Sequence, residues 1–168
     1  MILESYHIGN NLNGGVVLKK IALISTGGTI AMKEDKSGLA VPTVGAKDLI
    51  DSLEDIQKEF IVDSIDFINL PSAHLTFKDL MGLRNLIIDL CKKGYDGIVI
   101  THGTDTMEET AYFLDLTTDL NIPIVLTGSQ RNLSAISSDV AINIMDSIRV
   151  AADDMAAEMG VLIVFASE

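Results

Sequence analysis

Two short segments of this 168-residue chain carry side chains suited to chemistry. The first is Thr26-Gly27-Gly28-Thr29. Adjacent glycines let a backbone come close to a ligand and turn its N–H groups inward, and the Thr29 hydroxyl that follows could serve as a nucleophile. The same residues also suit a plain strand-to-loop turn that needs positive φ, with Thr29 facing solvent. The segment lacks the Gly-Lys-Ser/Thr ending of a phosphate-binding loop and does not satisfy the G-x-G-x-x-G dinucleotide fingerprint. The second segment runs from His102 to Glu109. A turn at Gly103 could present the Thr104 hydroxyl and the Asp105 carboxylate to a polar ligand. Asp105 would then hold an ammonium group, while N–H groups at a helix terminus take a carboxylate. Asp105 with Glu108 three residues on reads equally well as a helix N-cap and its reciprocal partner. His102 reads as support for a strand end. With three histidines in the chain and no second ligand at metal-site spacing, no metal is expected.

The elements that must position these residues alternate regularly. Ile21 to Ser25 reads as a buried strand, followed by a loop containing Gly38 and Pro42 and then a helix from about Ala46, with Ala46, Leu49, Ile50 and Leu53 on one face. Phe60 to Leu70 reads as a second strand. Thr76 and Asp79 form a capping box for a helix that carries Leu80, Leu83, Ile87 and Leu90 and stops at Gly94. Gly97–Thr101 is a third strand, Thr106 to about Leu120 a helix, Pro123–Thr127 a fourth strand, Ser137–Ala152 a helix and Val161–Ala166 a fifth strand. Apolar strands alternating with helices argue for a parallel sheet covered on both faces.

In such sheets ligands bind beyond the carboxyl ends of the strands. There the sequence places Thr26–Thr29, Pro71-Ser72-Ala73-His74, Thr101–Thr106 and Gly128-Ser129-Gln130-Arg131-Asn132. Hydroxyls, glycines, a carboxylate and an imidazole therefore gather at one edge. The opposite edge, with Lys19-Lys20, Tyr95-Asp96 and Asn121-Ile122, holds ordinary loop residues.

Composition narrows the function classes. Hydrophobic residues make up 48% and charged residues 21%, which suits a globular domain and excludes a disordered or low-complexity chain. Twelve Lys and Arg against 24 Asp and Glu give a net charge of −12, which disfavours nucleic acid and anionic membrane surfaces as partners. The N-terminal residues lack a secretory apolar region, and no apolar run approaches a membrane span. A soluble cytoplasmic protein is expected. Cys91 has no intramolecular partner and sits in an apolar-periodic stretch, so it is expected to be a buried structural thiol.

Thr26-Gly27-Gly28-Thr29-Ile30-Ala31 and the run Thr101-His102-Gly103-Thr104-Asp105-Thr106-Met107-Glu108-Glu109-Thr110-Ala111, continuing through Thr117, resemble the two signature motifs of the bacterial-type L-asparaginases. The resemblance covers about Lys20 to Glu168, the larger N-terminal domain of that family, and residues 1–19 are expected to be a flexible extension. It implies a three-layer α/β sandwich with a flavodoxin-like parallel sheet. It also implies cofactor-free hydrolysis of L-asparagine to L-aspartate and ammonia. Thr29 aligns with the nucleophile, Thr104 with a second catalytic threonine, and Asp105 with the carboxylate that grips the substrate's α-ammonium. Ser72 aligns with the serine that binds the α-carboxylate. Gly28 and Gly103 join the substrate site, as does Ser129, which sits where the family's backbone contacts the side-chain amide. The family often places a tyrosine in the loop after the first motif; here Leu39 stands near that place. Its usual Ala-Met-Arg after the fourth strand is Ser129-Gln130-Arg131. In the family a lysine paired with the second threonine lies just past the fifth strand, and a smaller C-terminal domain completes a dimer. With neither before Glu168, the expectation is a shortened, impaired enzyme that either forms a homo-oligomer or lacks its C-terminal domain. The alternatives are a non-catalytic small amino-acid-binding module, or one piece of a split or frameshifted asparaginase.

Overall fold

The structure, a computed structural model, describes residues 17–34, 40–42, 44–51, 53 and 55–166. Its main sheet has five parallel strands: β1 (Lys20–Ser25), β4 (Ile61–Asp66), β5 (Gly97–Thr101), β6 (Ile124–Thr127) and β7 (Val161–Ile163). They lie in the order β4-β1-β5-β6-β7. Counted within this sheet the order is 2-1-3-4-5, the flavodoxin-like arrangement, whose switch point falls between β1 and β5. The helices are α1 (Ala46–Asp51), α2 (Ile56–Glu59), α3 (Phe77–Lys92), α4 (Met107–Thr117) and α5 (Val140–Ala151).

Side-chain alternation along the central strands builds two cores. Ile21, Leu23, Val99 and Val125 pack under α1, α2 and α5, against Leu49, Ile56, Ile144 and Ile148. Ala22, Ile24, Ile98, Ile100 and Leu126 face α3 and α4, against Leu83, Ile87, Leu90 and Leu114. The result is the three-layer α/β sandwich that the alternation predicts. The Thr76–Asp79 capping box opens α3 with both reciprocal bonds present, and Gly94 follows that helix at φ 80°.

The elements differ from the sequence reading mainly at their ends. β4 stops at Asp66 rather than reaching Leu70, because the backbone there leaves the sheet to bond the next loop: Phe67 and Ile68 donate to Ser25 O and Leu70 to Thr26 O. α1 ends at Asp51, so Leu53 is buried from a connection rather than from the helix face. α4 ends at Thr117, where the Thr117 and Thr118 hydroxyls donate to the Phe113 and Leu114 carbonyls and compete with helix continuation. α5 begins at Val140 rather than Ser137 because the Asp139 carboxylate is taken up by the loop before it. β7 ends at Ile163 instead of Ala166; Val164 still donates to Leu126 O, but Ala166 turns to φ 57° with its N–H on Asn143 Oδ1. Several elements were not anticipated, among them α2 and the following. β2 (Met32–Glu34) and β3 (Ala40–Pro42) pair antiparallel where a loop is expected, and a 3₁₀ segment spans Asp154–Met159. Cys91 is half-buried, not buried, because it lies beside the Leu83–Ile87–Leu90 stripe of α3 rather than on it.

Residues 1–16 of the expected N-terminal extension, and Gly38 and Leu39, lie outside the described residues. Lys19 carries an ion pair to Asp154. Among the described residues no helix is long and apolar enough to cross a membrane.

Candidate active site

The switch point is built from glycines in contact. Gly27 and Gly28 adopt φ 104° and 82°, conformations that side chains rarely tolerate. A Cβ on Gly28 would lie 2.5 Å from Gly103 Cα and 2.6 Å from Gly103 N. A Cβ on Gly103 would lie 2.7 Å from Ser72 Oγ, and one on Gly128 would lie 2.8 Å from His102 O and 3.3 Å from Thr104 Cγ2. The loops after β1 and β5 thus touch backbone to backbone, and the loops after β4 and β6 reach the same place through Ser72 against Gly103 and through Gly128 against His102 O, Met107 Cε and Thr104 Cγ2. Two sequence segments 70-odd residues apart become one surface.

Hydrogen bonds fix these loops to the strand ends. Thr26 donates both its N–H and its hydroxyl to Thr101 O, at 3.1 and 2.9 Å. His102 N–H donates to Thr127 O at 2.8 Å. The His102 ring is fully buried. Since a carbonyl can only accept, Nδ1 carries a proton and donates to Gly103 O at 2.7 Å, and in the neutral ring Nε2 accepts from the Thr110 hydroxyl at 3.0 Å. Burial holds its pKa below the ordinary histidine value, outweighing the opposing bond to Gly103 and the charge of Glu109. This imidazole braces the second motif, as its sequence position suggests.

Within this frame Thr29 opens a 3₁₀ turn (Thr29–Ala31) and is half-buried. Thr104 and Asp105 lie on another (Thr104–Thr106), Thr104 half-buried and Asp105 exposed. The Asp105–Glu108 capping reading does not hold. The residue at the cap of α4 is Thr106, without a side-chain cap bond, because the intervening 3₁₀ turn moves the helix start past Asp105. Its carboxylate makes no hydrogen bond or ion pair among the described residues. Ser72 and Ser129 are 3% and 1% exposed, and their hydroxyls find no hydrogen-bond partner among the described residues. Buried polar groups are ordinarily bonded; these two hydroxyls, each in a loop beyond a strand end, are exceptions among the described residues.

Sequence reasoning missed the brace on the β6 side. Asp139 lies just before α5 and accepts from the Gln130 and Arg131 N–H groups at 2.9 and 3.0 Å. Asn143, one helical turn on, donates to Gly128 O at 2.9 Å and to Asp139 Oδ2 at 3.0 Å. Burial raises the Asp139 pKa, but the backbone N–H bonds and the Asn143 amide together hold it below the usual carboxylate value. An Asp and an Asn four residues apart at a helix start were the available signal. A separate cleft of about 500 Å³, lined by Ser25, Gly45, Asp48, Asp66 and Asn69 among others, opens on the α1 side; Thr29, Thr104 and Asp105 do not line it. Among the described residues no cluster of three or more His, Cys, Asp or Glu could hold a metal ion.

Comparison with known proteins identifies the family and the fold. A family model described as asparaginase, N-terminal, matches residues 20–168. The chain is 42% identical over 152 residues to an L-asparaginase of Bacillus licheniformis, covering 88% of this chain and 46% of that protein. It is 40% identical over 151 residues to a probable L-asparaginase of Deinococcus radiodurans, covering 90% and 45%. The crystal structure of a probable cytoplasmic L-asparaginase from Campylobacter jejuni superposes with a TM-score of 0.81 at 35% identity, covering 87% of this chain and 45% of that one. The chain therefore spans about half the length of the curated relatives it matches.

Proposed function

The chain belongs to the asparaginase family, and from that we propose that it forms the nucleophile-bearing, substrate-binding part of an L-asparagine amidohydrolase. Thr29 Oγ attacks the side-chain amide carbon of L-asparagine, the C–N bond breaks and ammonia leaves. Water then hydrolyses the resulting ester to release L-aspartate and restore the hydroxyl. A threonine hydroxyl attacks only once its proton is taken, and Thr104, from the second motif, belongs to that proton relay. Backbone N–H groups of the glycine turn stabilise the oxyanion. Asp105 pairs with the α-ammonium, Ser72 Oγ bonds the α-carboxylate, and Ser129 borders the amide.

The observation that carries this reading is the direct contact of Gly28 with Gly103 and of Gly103 with Ser72. Gly28 precedes Thr29 and Gly103 precedes Thr104, so the contact of the two glycines supports reading both motifs as one site, next to the Ser72 hydroxyl, which has no partner among the described residues. The freedom of the Asp105 carboxylate also supports it.

Two measurements test the assignment. Ammonia release from L-asparagine is expected to vanish in Thr29→Ala; release that survives removes Thr29 as nucleophile. Calorimetric titration with L-aspartate is expected to show roughly ten- to hundredfold weaker binding in Asp105→Ala, since a hydrogen bond to a charged group is worth about 1.5–3 kcal/mol. Equal affinity in the two proteins would remove the ammonium-binding role.

A further inference from the structure

Behind the candidate site, on the α5 side of the sheet, stand two more buried hydroxyls without partners among the described residues. Thr101 and Thr127 end β5 and β6 and stand side by side in the parallel register. Val99 and Val125, two residues earlier on the same strands, pack in the core under α1 and α5. Alternation therefore puts both threonine side chains on that face. Both residues are 0% exposed, and neither hydroxyl has a hydrogen-bond partner among the described residues. Their carbonyls are occupied by Thr26 and His102, the residues that anchor the two motif loops.

We propose that Thr101 Oγ1 and Thr127 Oγ1 together hold one internal water molecule between β5, β6 and α5. The spacing suits it. Neighbouring strands lie about 4.8 Å apart, and two hydrogen bonds of about 2.8 Å meeting at the tetrahedral angle of a water oxygen span ~4.6 Å. The surroundings suit it as well, since an internal water needs two to four polar partners. α5 packs on β5 and β6 and brings two fully buried polar residues to this face, Asn143 and Ser147. Asn143 spends both amide hydrogens on Gly128 O and Asp139 and one acceptor site on Ala166 N–H. That leaves Oδ1 with a spare lone pair. Ser147 donates its hydroxyl hydrogen to Asn143 O and keeps its oxygen free to accept. Ser25, next to Thr101 in the register, continues the polar row toward the solvent side. The water would brace the two residues on which both motif loops hang, whatever chemistry those loops perform.

The test uses the 168-residue chain and its isosteric Thr127→Val variant. A high-resolution crystal structure of the unaltered protein is expected to show one ordered water within hydrogen-bond distance of both threonine hydroxyls. Thr127→Val strips that water of an anchor, and the thermal midpoint is expected to fall by roughly 2–4 °C, the shift that corresponds to ~1 kcal/mol in a domain of this size. A dry pair is the opposite case: replacing a desolvated, unbonded hydroxyl with a methyl group raises stability. Density without a shared water, or a midpoint that is unchanged or higher in the variant, overturns the proposal.

Discussion

Three glycine-to-alanine substitutions separate the two physical demands that the switch point makes on its backbone. Gly94 has φ 80° and nothing within 4 Å of a Cβ, so alanine there meets only the conformational penalty of the left-handed region, about 1 kcal/mol. Gly103 has an ordinary φ of −70°, but its Cβ would sit 2.7 Å from Ser72 Oγ and 2.9 Å from Ser72 Cβ. Alanine there meets only overpacking, about 2 kcal/mol. Gly28 combines the two. Its φ and ψ of 82° and −177° fall in a region nearly confined to glycine, at about 1–3 kcal/mol. Its Cβ would also press on Gly103 Cα and N and on His102 C, backbone atoms that no rotamer change can move. The expected loss is about 4 kcal/mol, the strain and the overpacking together. At roughly 2–4 °C per kcal/mol, thermal unfolding should place Gly94→Ala a few degrees below the unaltered chain and Gly28→Ala at least ~8 °C below it, with Gly103→Ala between. Equal midpoints for Gly28→Ala and Gly94→Ala would show that the loops after β1 and β5 are not in contact, and the reasoning about the site would fail with them.

The buried His102 makes stability depend on pH. The unfolded imidazole takes a proton near pH 6.5 and the folded one only at lower pH. Between those values the unfolded state binds more protons, so stability falls as the pH drops below ~6.5; His102→Gln should flatten that slope in denaturant titrations at pH 5 and 7. Asp139 works in the carboxylate range. Its folded pKa is lowered, so its contribution is present above the unfolded value of ~3.9 and lost as the pH falls through the folded one. Asp139→Ala should cost about 1–3 kcal/mol, the penalty for leaving bonded groups unpaired, and should speed amide exchange at Gln130 and Arg131.

The strands and helices that form the two cores were legible because their apolar residues repeat at the period of the element that buries them. Leu83, Ile87 and Leu90 lie on one stripe of α3, and β5 is buried at every residue. The edge strands were less legible. β4, Ile61–Asp66, has Asp63, Ser64 and Asp66 among its six residues, because an edge strand has a neighbour on one side only and need not be apolar throughout. Element ends were set by bonds that no periodicity encodes. The Asp139 carboxylate turns back to Gln130 and Arg131 and so delays α5, and Ala166 is drawn to Asn143 and so shortens β7.

At the candidate site the competing readings of each motif turn out to be less opposed than the sequence makes them look. The first motif could be a turn that needs positive φ or a close approach to a partner, and the structure has both in one residue: Gly28 is at φ 82° and in contact with Gly103. The second could be a helix cap or a displayed carboxylate. Here the two readings do exclude each other, and geometry decides between them through a single 3₁₀ turn. Thr104–Thr106 pushes the start of α4 to Met107. The cap position falls to Thr106, so Asp105, one residue before it, makes no cap bond, and its carboxylate has no hydrogen bond or ion pair among the described residues. What the sequence could not carry was the partner of each glycine. That Gly28 meets Gly103 follows from β1 lying beside β5, a property of strand order rather than of any local spacing, and the loop after β4 adds Ser72 to the same contact. Once that order is known, small residues at these three positions become a requirement of packing, and the hydroxyls and carboxylate beside them are brought together as a consequence.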